Sequence, residues 1–140
     1  MRPVQLGGQF GGQLALLLAL FSAAPAVAET AMTADEFEAF ATGNTLTYQG
    51  PDGVFGTEEY LPGRKVRWSD GSPGCRSGLW YPKDGNICFY YRGTAEPACW
   101  TFLRTGGKVT ADIADEPGDR LYEVMISKEA LPCNGLQAGD

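Results

Sequence analysis

From residue 44 onward, the apolar positions of this chain fall in short runs rich in β-branched and aromatic residues. Clusters of Gly, Pro and Asp separate the runs at intervals of about 8–12 residues. The pattern predicts strands over residues 44–49, 54–61, 64–69, 78–81, 86–91, 98–104, 108–114 and 120–126. The breaks between them carry turn chemistry: Gly50-Pro51-Asp52-Gly53, Pro62-Gly63, Asp70 to Gly74, Lys83-Asp84-Gly85, Gly106-Gly107 and Glu116 to Asp119. Asp84-Gly85 is the strongest hairpin signal, because both residues tolerate the positive φ of a two-residue turn. No alternation of strands with helices occurs, which argues against a parallel sheet.

Ahead of the strands the period changes. Thr33-Ala34-Asp35-Glu36 is a capping box, in which Thr33 and Glu36 satisfy each other's backbone N–H groups. Phe37 and Phe40 follow on one helical face, and Gly43 suits the left-handed residue that stops a helix. A helix over residues 34–42 is expected, with both Phe side chains packed on a sheet edge or over a barrel mouth. The expected fold is mainly β: an antiparallel up-and-down meander or small barrel of about eight strands, preceded by one short N-terminal helix. A sandwich is the alternative.

The first 28 residues stand outside this pattern. Arg2 is followed by an uncharged apolar run, residues 14–21, and then by Ala26-Val27-Ala28. This is the layout of a signal peptide cut after Ala28, leaving a single domain over residues 29–140 in the periplasm or secreted. The run is shorter than the ~20 apolar residues a membrane span needs, so no stable membrane anchor is expected. Four cysteines, Cys75, Cys88, Cys99 and Cys133, lie beyond it. An even count in an exported chain reads as two disulfides, each worth roughly 2–4 kcal/mol. Three pairings are open. Cys88 and Cys99 flank the turn at Arg92 to Ala95 and can meet across a hairpin, which leaves Cys75 for Cys133. No CxxC pair is present, and the spacing fits no common zinc motif.

Composition then narrows the chemistry. The chain has 140 residues, no His, 11 Lys and Arg against 17 Asp and Glu, and a net charge of -6. Lack of His removes Ser-His, Cys-His and His-metal arrangements together. The acidic balance argues against nucleic-acid binding. Neither a cofactor nor a metal is expected, and the protein is expected to be a monomer.

The aromatic residues concentrate in three consecutive strands. Counting outward from the Asp84-Gly85 turn places Trp80 opposite Phe89 and Tyr81 opposite Cys88. If Cys88 faces Cys99, one face carries Trp80, Ile87, Phe89, Tyr91, Trp100 and Phe102. The other carries Leu79, Tyr81, Cys88, Tyr90, Cys99 and Thr101. The plain reading makes the first face core. The sharper one makes Trp80, Phe89, Tyr91, Trp100 and Phe102 the wall of a ligand cavity, since Trp and Tyr join a large apolar area to a polar tip.

Among the carboxylates, Glu58 and Glu59 are adjacent and so point to opposite faces of a strand, unable to act together as a glycosidase pair. Glu59 shares the parity of Phe55, so an inward position with a raised pKa is open to it; the favoured reading is a solvated Glu on an edge strand. Asp112, Asp115, Glu116 and Asp119 read as a solvated acidic loop. Lys65 and Arg67 share one strand face, with Val66 and Trp68 on the other.

The blocks Gly43-Asn44-Thr45-Leu46-Thr47-Tyr48, Tyr60-Leu61-Pro62-Gly63-Arg64, Gly78-Leu79-Trp80-Tyr81, Ile87-Cys88-Phe89-Tyr90 and Cys99-Trp100-Thr101-Phe102, in this order, resemble small exported alphaproteobacterial proteins of unknown function. The resemblance runs from about residue 33 to residue 135. It implies a β-rich exported protein with paired cysteines and brings no assigned activity or site. A looser, architectural likeness is to small periplasmic β-barrel inhibitors of lysozymes and proteases. The functional expectation is a non-enzymatic binding module for an unknown small apolar ligand or an envelope protein. A periplasmic hydrolase inhibitor and a carboxylate-based enzyme are the alternatives.

Overall fold

The computed structural model describes residues 1–4, 7–8, 24–116, 118 and 121–133. The apolar run at 14–21 and part of the turn at 116–119 lie outside the described residues. The elements are β1 (Glu29–Ala31), α1 (Ala34–Ala41), β2 (Thr45–Gly50), β3 (Gly53–Leu61), β4 (Lys65–Ser69), β5 (Arg76–Lys83), β6 (Asn86–Tyr91), β7 (Ala98–Thr105), β8 (Lys108–Ile113) and β9 (Leu121–Ser127). The eight strands β2 to β9 follow the predicted runs, with ends shifted by one or two residues. From β2 to β9 each strand pairs antiparallel with the next in sequence, and β9 returns to pair with β2. The sheet is therefore a closed up-and-down barrel and not a sandwich.

Turn chemistry sets the register. Asp84 and Gly85 have φ of 51° and 77°, the left-handed pair that matches strand twist. Tyr81 then lies opposite Cys88 and Trp80 opposite Phe89, and on the next strand Cys88 meets Cys99 and Ile87 meets Trp100. The disulfides are Cys88–Cys99 and Cys75–Cys133. Two disulfides fit an oxidising, extracellular-type compartment.

β1 has no counterpart in the predicted elements. β6 begins at Asn86, beside the 84–85 turn, so its pairing with β7 ends at Ile87 and Trp100 while β7 runs on to Thr105. The freed edge of β7 is taken by β1, which sets Thr30 opposite Arg104, and the Met32 N–H donates to the Phe102 carbonyl at 2.8 Å. This covers backbone groups that would otherwise stay unpaired. All three β1 side chains are exposed, so no apolar alternation marks the strand.

The helix closes one end of the barrel. The Thr33–Glu36 capping box forms as expected. The helix stops one residue short of the predicted end, where Gly43 takes φ 79° and donates its N–H to the Tyr60 carbonyl. Phe37 is fully buried, with its ring 4.3 Å from Phe102, 5.2 Å from Trp80 and 5.5 Å from Tyr60. Outside this plug, Arg64 pairs with Glu38 of the helix at 3.2 Å and lies 4.6 Å over the Trp80 ring.

Candidate ligand cavity

The far end of the barrel is not filled. There a cavity of about 220 Å³ opens between β2, β3, β4, β6 and β7. Its wall is Tyr48, Phe55, Trp68, Phe89, Tyr91, Trp100 and Phe102, and Glu58 is the carboxyl inside it. Arg76, Glu96 and Ala98 are exposed and mark the mouth.

Local sequence explains how the wall is built. On β3, Tyr48 pairs with Gly56 while the next residue, Gln49, pairs with Val54. Phe55 is the extra residue of a β-bulge, and its ring turns in beside Trp68, Trp100 and Tyr122 at 5.4, 5.9 and 4.9 Å. Gly56 follows, and the Trp68 ring lies directly on it: a Cβ there would sit 2.1 Å from the indole. A larger residue at this position would push Trp68 off the wall.

The bulge also corrects the reading of the adjacent carboxylates. Period-two counting from Phe55 turns Glu59 inward, but the extra residue shifts the phase by one. Glu58 points in and is 1% exposed, because a closed barrel offers this strand no solvated edge. Glu59 faces outward, pairs with Arg67 at 3.2 Å and accepts the Leu131 N–H at 3.2 Å.

Around Glu58 is a chain of hydroxyls. Tyr91 donates to Glu58 Oε2. The Tyr60 hydroxyl interacts with Glu58 and shares a 2.6 Å hydrogen bond with the Tyr48 hydroxyl. Burial raises the Glu58 pKa to about 7, with hydrogen bonds from Tyr91 and then Tyr60 opposing the rise. Among the described residues no cationic side chain stands within ion-pair distance of it. Burial first, and the nearby Glu58 charge second, push the Tyr60 and Tyr91 hydroxyls up; burial likewise raises Tyr48, so all three stay neutral. Glu58 is thus the cavity group that changes charge near neutral pH.

No protein-family model, curated protein or solved structure matches this chain.

Of the residues expected to line a ligand site, Phe89, Tyr91, Trp100 and Phe102 stand together on the cavity wall. Trp80 does not. It shares their face of the sheet but sits at the closed end, edge-on to Phe37 and beneath Arg64. Period-two geometry gave the face; which end of the barrel the helix would fill depends on packing that the strand pattern does not carry. Tyr48, Phe55, Glu58 and Trp68 were missed because they come from β2, β3 and β4, outside the aromatic hairpins on which the count of faces was made. The pairing of Val66 and Trp68 on one face was the available signal for the last of these. Asp112 lies away from the cavity and accepts the Gly118 N–H at 2.8 Å, holding the β8–β9 turn. No group of three or more metal-ligating side chains occurs among the described residues.

Proposed function

We propose that this protein is a non-enzymatic exported binding module that holds a small ligand inside its barrel. The observation that carries the reading is the half-filled interior: one end is plugged by Phe37, while the other leaves a 220 Å³ aromatic cavity with one buried carboxyl. A core built only for stability would be filled to crystal-like density. Small barrels hold single ligands in such a space. Export is part of the proposal. A signal peptide over residues 1–28 is consistent with β1 starting at Glu29 and with two disulfides, and it agrees with the resemblance to small exported alphaproteobacterial proteins.

The reading is tested with an uncharged hydrophobic probe, N-phenyl-1-naphthylamine, and by native mass spectrometry of protein taken from its own envelope fraction. Saturable probe binding that quenches Trp fluorescence, lost in Trp100→Ala, is the expected result. Extra mass that leaves on denaturation would identify a carried molecule. A bare protein with no response to the probe would count against the cavity.

A second reading has its own observation. Leu79, Tyr81 and Tyr90 lie exposed together on the outer face of β5 and β6. An envelope hydrolase bound there one-to-one, with Tyr90→Ala breaking the complex and Trp100→Ala sparing it, would favour the inhibitor.

A further inference from the structure

We infer that the cavity takes a small organic cation, a primary, methylated or quaternary amine with a short apolar or single-ring body, seated with its charge at Glu58 against the aromatic wall. The inference rests on the cavity being a binding site and names the ligand class for it.

Three features of the cavity point the same way. The first is the ring arrangement. Tyr48, Trp68, Phe55 and Trp100 form a closed circuit, with successive centroids 6.0, 5.4, 5.9 and 6.3 Å apart. Aromatic faces attract cations through their quadrupoles, and Phe55, 44% exposed, is the ring of the four most open to solvent. The second is Glu58, a carboxyl buried beside those rings with hydroxyl partners but no cation among the described residues. An ionised carboxylate in such a place is costly unless an opposite charge joins it. An ammonium ligand supplies that charge. The third is the charge at the mouth. Arg76 is turned to Asp70 at 3.6 Å, Glu96 also lines the mouth, and the chain carries a net charge of -6. The field thus favours entry of a cation over an anion.

Proton linkage follows. The titratable and charged groups around Glu58 are Tyr48 from β2, Tyr60 from its own strand and Tyr91 from β6, with Arg76 and Glu96 at the mouth. The tyrosines are neutral, so the proton in play belongs to Glu58. A cation lowers the Glu58 pKa and releases that proton to solvent. A neutral ligand of the same shape does not.

The test is calorimetry at about pH 6.5 in buffers of differing ionisation enthalpy, close to the Glu58 midpoint. The probes are 2-phenylethylamine, benzyltrimethylammonium, propylbenzene and 3-phenylpropanoate. The expected result is that both cations bind, each with net release of a fraction of a proton that vanishes at about pH 9. Glu58→Gln should weaken the cations at least about tenfold and leave propylbenzene unchanged. If Glu58→Gln does not fold, proton release by the unaltered protein decides the matter. Equal binding of propylbenzene without proton release, or preference for 3-phenylpropanoate, would overturn the cation assignment and leave the cavity a binding site. Binding of none of the four, together with no response to the naphthylamine probe, would overturn both.

Discussion

Glu58 carries the sharpest consequence at the scale of single residues. Its pKa in the folded protein is about 7, above the ordinary carboxylate value, because it is buried. Between about pH 4.5 and 7 the unfolded chain gives up this proton and the folded chain keeps it. The folded state then binds more protons, so stability falls as pH rises through that window and levels off above it. The loss is roughly 3 kcal/mol for a shift of this size. Urea melts at about pH 5 and 8 should show it in the unaltered protein and not in Glu58→Gln. Glu36 and Asp70 are shifted the other way, by hydrogen bonds from Thr33 and Ser72, and so act below that window. Gly56 gives a second test. Gly56→Ala places a methyl group against the Trp68 indole and should cost about 1–3 kcal/mol, with a changed near-ultraviolet dichroism as the ring moves. Neither residue was legible as a site from sequence. A strand is read by alternation, and one bulged residue at Phe55 inverts alternation for everything that follows it.

Elements were easier to read than residues, for a physical reason. Strands β2 to β9 each bury one face, and burial writes a period of two into the sequence. The helix was marked by its capping box and its terminal glycine, which are local hydrogen-bond and φ requirements. β1 buries nothing and exists to pair the edge of β7, so no hydrophobic signal accompanies it. What α1 does could be read only in part. Phe37 and Phe40 were placed on one face, but Phe37 alone is fully buried, as the stopper against Tyr60, Trp80, Phe89 and Phe102. Phe37→Ala should therefore cost about 3–5 kcal/mol in a urea melt. Phe40→Ala, at a half-buried position, should cost distinctly less. If the two cost the same, the helix is held by its apolar face as a whole and not by the stopper.

At the scale of the whole molecule, closure and cross-linking divide the work of holding the cavity open. The barrel closes through β9 on β2, so its aromatic wall is supported on all sides by continuous pairing. Cys88–Cys99 bridges neighbouring strands already in register and spans only 11 residues, whereas Cys75–Cys133 spans 58 and ties the tail to the start of β5. Chain entropy assigns about 3 kcal/mol to the shorter loop and about 4 kcal/mol to the longer. The larger difference is positional. Cys75 borders the 70–75 loop next to Trp68 and Arg76, and both of those side chains also line the cavity. Replacing Cys75 and Cys133 together by Ala should lower stability and weaken probe binding at the mouth. Replacing Cys88 and Cys99 should lower stability by about 1 kcal/mol less, with probe affinity altered little if Phe89, Tyr91 and Trp100 keep their pairing. Urea melts and a fluorescence titration on the same two variants separate the effects. Equal loss of affinity in both would mean that general loosening of the barrel, and not the rim held by Cys75–Cys133, controls entry to the cavity.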